Sequence, residues 1–82
     1  MKEPLKLHEA IAVVLLKKDN RTASLEALAE EINRRELYVQ KKGTPTNKAQ
    51  IRLRTHRNTK SGRFYSYLFE FVDPDKVKLK NI

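Results

Sequence analysis

The stretch RFYSYLFEFVDPDKVKLK, residues 63–80, decides the fold that we expect for this chain. Its first half is rich in aromatic and aliphatic side chains, which is typical of a β-strand. The segment DPDK at 73–76 has turn chemistry, and the residues after it alternate apolar with charged side chains, as a half-buried returning strand does. The sequence therefore predicts a C-terminal β-hairpin over about 63–81. Its buried face is left open between two sets: Phe64, Leu68 and Val72, or Tyr65, Tyr67, Phe69 and Phe71.

A third helix is predicted ahead of the hairpin, over about 45–57. The glycine–threonine–proline run at 43–45 supplies a turn, a capping hydroxyl and a residue suited to the first helical position. At about 100° per residue, Ala49, Leu53 and His56 share one face, which we expect to pack inward. The other face is expected to point outward and carries Asn47, Gln50, Ile51, Arg54, Thr55 and Asn58.

Two further helices are predicted nearer the N-terminus, over about 7–18 and 25–35. In both, apolar residues recur at the spacing of one helix face, and Ser24 is a suitable N-cap for the second helix. Between the two helices, Thr22 is compatible with a short strand that joins a later sheet. We therefore expect one domain over 1–82, mainly α-helical with a small β-hairpin.

Charge is segregated along the chain. Of 82 residues, 18 are Lys or Arg and 10 are Asp or Glu, and the window 37–69 contains no acidic residue. Such a block has no ion-pair partners nearby in sequence, so a polyanion, most commonly nucleic acid, best relieves its self-repulsion. A solvated basic face is the alternative interpretation. The basic residues of this window are Lys41, Lys42, Lys48, Arg52, Arg54, Arg57, Lys60 and Arg63.

Composition argues against catalysis, metal binding and membrane insertion. The chain has no cysteine, which excludes disulfides and cysteine-ligated zinc and fits a cytoplasmic address. His8 and His56 lie far apart in sequence, so we interpret them as surface or core histidines and not as metal ligands. The longest uncharged run, 10–16, is too short to span a bilayer. We expect a soluble cytoplasmic protein, nucleoid-associated if bacterial, that is not an enzyme and needs no cofactor or metal.

Three helices followed by a hairpin, with a basic third helix, is the order of a winged helix-turn-helix. A closer likeness is carried by LHEAIAVVL at 7–15, SLEALAEEINRRELY at 24–38, the run at 43–45, Ala49, Leu53, and GRF at 62–64. In this combination the chain resembles the HARE-HTH domain, a winged helix seen in the bacterial RNA polymerase delta subunit, restriction-type nucleases and eukaryotic chromatin proteins. The resemblance implies a domain that binds DNA or docks within DNA-associated machinery. The chain departs from the family in having DPDK at 73–76 in place of a glycine-containing wing tip. We also expect it to have no attached partner domain, which is a second departure.

The sequence thus predicts a regulatory or chromatin-associated module that binds double-stranded DNA, with its third helix in the major groove. Amide side chains pair with adenine and arginine pairs with guanine, so Asn47, Gln50 and Arg54 are the candidates for base reading. Ile51 is expected to contact a thymine methyl group, or else the wing or a neighbouring domain. The predicted phosphate contacts are Lys41, Lys42, Lys48, Arg57, Lys60 and Arg63, and Thr46, Thr55 and Asn58 complete the predicted interface.

Two other functions fit the same features. A protein-interaction module would dock on an acidic partner of the transcription machinery through Ile51 and the aromatic hairpin. A single-stranded RNA-binding module would stack Tyr65 and Tyr67 on unpaired bases. The target sequence and the oligomeric state are left open.

Overall fold

Amphipathic periodicity produces two ten-residue helices, α1 (Leu7–Leu16) and α2 (Leu25–Arg34), in a computed structural model. The structure describes residues 5–38, 40, 43–56, 58–72 and 74–80. Helix α2 begins after Ser24, whose hydroxyl accepts a hydrogen bond from the Ala27 amide at 3.0 Å. Both predicted N-terminal helices are confirmed, with slightly earlier ends. Among the described residues, none of the helices has the length and apolar character needed to cross a membrane.

The third predicted helix is present as α3 (Lys48–Thr55) and is shorter than the predicted 45–57. It begins after Asn47 because Asn47 and Gln50 form a capping box. The Gln50 amide donates to Asn47 Oδ1 at 3.0 Å, and the Asn47 amide donates to Gln50 Oε1 at 3.1 Å. The helix ends at His56, whose backbone is extended.

A fourth helix, α4 (Lys60–Phe64), occupies the start of the segment that was predicted as a strand. The Thr59 hydroxyl caps it by accepting a hydrogen bond from the Gly62 amide at 2.9 Å. Turns follow from 65 to 68 before the chain becomes extended. The strand prediction is therefore wrong for 63–68, because the threonine cap and the helical hydrogen bonds outweigh the aromatic composition.

Three short strands form one antiparallel sheet among the described residues: β1 (Thr22–Ser24), β2 (Phe69–Val72) and β3 (Lys76–Leu79). The order is β1-β3-β2, so β3 lies in the centre and β1 joins the C-terminal hairpin. Val77 faces Ala23 on one side and Phe71 on the other. The predicted hairpin and the short strand at Thr22 are both confirmed. With these helices and strands the fold is a small α+β domain.

The core lies between the helices and one face of this sheet. Phe69 and Phe71 are buried while Glu70 between them is exposed, which identifies the inner face of β2. Phe64 and Tyr67 stay exposed, so neither predicted set of aromatic residues is buried as a whole. The largest fully buried side chains are Ile11, Val14, Leu15, Leu28, Ile32, Ile51 and Val77.

Helix α2 ends in a Schellman motif whose left-handed residue is Glu36, with φ of 52°. The Leu37 amide donates to the Ile32 carbonyl oxygen at 3.0 Å, and the Glu36 amide donates to the Asn33 carbonyl oxygen at 3.2 Å. A side chain in this conformation is strained, so Glu36→Gly should raise the free energy of unfolding by about 0.5–1 kcal/mol. Thermal denaturation followed by circular dichroism measures the effect. Glu30→Gly removes the same charge from the exposed middle of α2 and should instead cost about 1 kcal/mol; a loss of stability in both variants would contradict the prediction.

Candidate nucleic-acid interface

Helix α3 packs on the core through the face that was predicted to point outward. Ile51 is fully buried in the core cluster that also contains Phe69 and Phe71, and Thr55 is only 2% exposed, whereas Leu53 is 51% exposed. The outward positions predicted for Ile51 and Thr55, and the inward position predicted for Leu53, are therefore wrong. A branched aliphatic residue gains most from burial, and the Thr55 hydroxyl, one turn later, can be buried because it donates to the Ile51 carbonyl oxygen at 2.9 Å.

The exposed face of α3 consists of two pairs spaced four residues apart. Lys48 and Arg52 form the basic pair, and Ala49 and Leu53 form the apolar pair beside it. Ala49 was also predicted to face inward, and that prediction is wrong for the same reason. Arg52 was missed as a site residue because the helical phase was set by Leu53; Ile51, whose β-branched side chain suits burial, would have given the correct phase.

The amide side chains at the start of α3 hold the helix in place. Besides its part in the capping box, Gln50 donates a hydrogen bond through Nε2 to Gln40 Oε1. Gln40 in turn donates to the carbonyl oxygens of Thr44 at 2.9 Å and Pro45 at 2.8 Å. Some donors and acceptors of Asn47 and Gln50 are thus occupied by hydrogen bonds within the protein, so fewer of them can pair with bases. Gln40 was not foreseen from the sequence, because its partners Thr44, Pro45 and Gln50 lie four to ten residues away and form no motif of consecutive residues.

Thr46 is buried and cannot contribute its side chain to a surface. Asn33 of α2 accepts a hydrogen bond from the Thr46 amide and donates one to the Thr46 carbonyl oxygen, both at 2.8 Å. This pair of bonds ties the loop before α3 to α2 and leaves Thr46 only 4% exposed. The prediction that Thr46 belongs to the interface is therefore wrong.

Helix α4 adds a second basic surface next to α3. Lys60 and Arg63 are exposed, and Phe64 beside them is 71% exposed. Together with Ser61 and Tyr65 they line an open groove of about 490 Å³. The Thr59 hydroxyl lies 2.7 Å from the carbonyl oxygen of Leu53, so the two helices meet at the cap of α4. The predicted site residue Asn58 is also exposed in this connection, and its amide donates to His56 Nδ1 at 3.0 Å.

Three aromatic rings lie in series at the edge of this groove. His8 of α1 stacks on Tyr65 with ring centroids 4.4 Å apart and an angle of 21° between the planes. Tyr65 meets Phe64 edge to face, with centroids 5.0 Å apart. Burial lowers the pKa of His8; Glu9 opposes this shift, while the positive charges of Lys6 and Arg54 add to it. The lowered pKa favours the neutral form of His8 at pH 7. Arg54, a predicted base-reading residue, is half-buried on α3.

The exposed cations of α3 and α4 carry no carboxylate partner within the described part of the chain. The ion pairs in the described part join Glu31 of α2 to Arg34 and to Arg35. The hydrogen bond from Arg34 lowers the pKa of Glu31. Within the described ranges, folding thus brings no carboxylate into an ion pair with the exposed cations of the basic window. Its unpaired exposed cations are Lys48, Arg52, Lys60 and Arg63. The predicted phosphate contacts Lys41, Lys42 and Arg57 lie outside the described residues.

Other kinds of site find little support in the described ranges. No group of three or more His, Cys, Asp or Glu side chains there is placed to hold a metal ion. A second surface depression of about 270 Å³ is lined by Asn33, Glu36, Tyr38, Gly43, Thr44 and Pro45.

Comparison of the chain with family models, with curated proteins and with solved structures gives no match.

Proposed function

We propose that this chain is a winged helix-turn-helix domain of the HARE-HTH type that binds double-stranded DNA through α3 and α4, without catalysing a reaction. The observation that carries the proposal is the set of four exposed cations on these two adjacent helices, none of them paired with a described carboxylate. Fixed positive charge on a rigid surface attracts the phosphate backbone.

The order of the elements supports the same proposal. A helix, a short strand and three helices precede a two-stranded hairpin, and the short strand pairs with that hairpin. Apart from α4, this order is compatible with a winged helix, in which the third helix is presented to DNA and the hairpin forms the wing. Helix α4 is an addition between the third helix and the wing.

Helix α3 has the dimensions and the side chains for a major groove. An α-helix with its side chains is about 10–12 Å across, and the major groove is about 12 Å wide. In this arrangement Lys48 and Arg52 contact phosphates or guanine, and Ala49 and Leu53 face thymine methyl groups. Lys60 and Arg63 of α4 contact the neighbouring backbone. In this proposal, base reading moves from Asn47, Gln50 and Arg54 to the opposite face of the helix.

The test is a titration of a random-sequence duplex, labelled with a fluorophore, at a series of salt concentrations. Four neutralised phosphates should make the logarithm of the affinity fall with the logarithm of the salt concentration at a slope of roughly −3.6. Arg52→Gln should weaken binding and reduce the steepness of the slope by about 0.9, because one phosphate contact is lost. An interaction that does not depend on salt would contradict the proposal.

Lys17 offers a matched control for the loss of one positive charge. It is exposed at the end of α1, nine positions from His8, whose ring lies at the edge of the α4 groove. Nine positions correspond to about 13 Å along the helix. This distance exceeds the Debye length of about 8 Å at physiological salt. Lys17→Gln should therefore leave the slope and the affinity nearly unchanged. Equal effects of Lys17→Gln and Arg52→Gln would show that net charge, and not the α3–α4 surface, governs binding.

A further inference from the structure

Phe64 combines high exposure with a fixed orientation. A large apolar ring that is 71% exposed gains little from folding, and as a single exposed residue it needs no explanation. Its neighbours, however, hold it in one place. Tyr65 contacts Phe64 edge to face, and His8 of α1 stacks on Tyr65. Edge-to-face and stacked ring contacts are favourable geometries, so the ring of Phe64 is presented to solvent by a preorganised support.

The groove beside Phe64 provides the other groups that a nucleotide requires. Lys60 and Arg63 supply two positive charges, and Ser61 supplies a hydroxyl. No acidic side chain lines the groove. Its volume of about 490 Å³ falls within the range of about 300–1,000 Å³ that is usual for small-molecule sites. An aromatic face flanked by cations is the combination that binds a base by stacking and its phosphate by charge.

We propose that Phe64 and the groove of α4 form a stacking site for an unpaired base of the DNA that α3 binds. The inference rests on the proposed function, because Lys60 and Arg63 belong to the same basic surface. The base must be unpaired, since the faces of a paired base are covered by its neighbours in the duplex, whereas a strand end or a gap leaves a face free. The protein would therefore prefer a duplex that continues into a single strand over a blunt duplex.

The test compares a blunt duplex with the same duplex carrying a short single-stranded extension, with 2-aminopurine as the unpaired base. The extended duplex should bind about tenfold more tightly than the blunt one, and 2-aminopurine fluorescence should fall as the base stacks. Phe64→Leu keeps an apolar side chain but removes the π face, so it should abolish both effects. Phe64→Trp keeps a π face and should preserve them. Retention of the preference in Phe64→Leu would overturn the stacking site.

Two controls separate this inference from the proposed function. Phe64→Leu should leave binding to the blunt duplex unchanged, whereas Arg52→Gln should weaken binding to both duplexes. Leu16→Ala removes an exposed apolar side chain at the far end of α1 and should alter neither binding nor fluorescence. If the blunt duplex binds but the extension adds nothing, the stacking site is wrong and the proposed function stands. If only the single strand binds, whether as DNA or as RNA, duplex recognition is wrong and the aromatic groove is the main site.

Discussion

Gly62→Ala is expected to destabilise the domain by about 3 kcal/mol, at the upper end of the usual cost of overpacking. A Cβ atom at Gly62 would lie 1.8 Å from the carbonyl oxygen of His56 and 2.5 Å from Thr59 Oγ1. The first contact is with backbone, and that carbonyl oxygen also accepts hydrogen bonds from the amide and the hydroxyl of Thr59. Relief of the clash therefore requires the junction of α3 and α4 to open. Urea denaturation followed by circular dichroism measures the loss.

Gly43, the other glycine of the chain, provides the matched control for Gly62. Its φ is 73°, and a Cβ atom there would meet no atom within 4 Å. Gly43→Ala should therefore cost only the strain of a left-handed alanine, about 1 kcal/mol. Equal losses in the two variants, or an unchanged stability of Gly62→Ala, would show that α4 is not seated against the end of α3 as described.

The overall arrangement could be predicted because its signals are local. The periodicity of α1 and α2, the Ser24 cap and the alternation in β3 each act within a few residues. Helix α4 escaped prediction because two local preferences compete over the same residues. Aromatic residues favour a strand there, while Thr59 three positions before Gly62 favours a helix start. Only the packing of α4 against α3 decides between them.

The candidate site was predictable in its charge but not in its details. The absence of acidic residues over 37–69 is a fact of sequence, and in the described residues folding brings no carboxylate to the exposed cations. The positions of Asn47 and Gln50 depend on hydrogen bonds that compete with ligand binding. Their partner Gln40 is ten residues from Gln50, so a motif of consecutive residues does not reveal it. Which face of α3 is exposed depends on which aliphatic side chain fills the core. Ile51 and Leu53 are two residues apart and therefore lie on nearly opposite sides of the helix.

A pair of alanine substitutions in α3 should therefore give very different losses of stability. Ile51→Ala removes a fully buried side chain from the cluster that includes Phe69 and Phe71, and should cost about 3 kcal/mol. Leu53→Ala shortens a side chain that is half exposed, and should cost less than about 1 kcal/mol. Urea denaturation of both variants beside the parent protein measures the difference. A chain of this length has a total stability of only about 5 kcal/mol, so Ile51→Ala should be partly unfolded under mild conditions.

The same pair also separates the core of α3 from its proposed DNA-binding face. Leu53→Ala should stay folded and lose affinity for duplex DNA, because an apolar contact to the groove is removed from the exposed side. Ile51→Ala should lose affinity only as far as it unfolds, so its binding should recover when a stabilising osmolyte restores the fold. The opposite order of stabilities would mean that α3 is rotated about its axis by about half a turn. Ala49 and Leu53 would then face the core, and the apolar contact with DNA that is proposed for this pair would not exist.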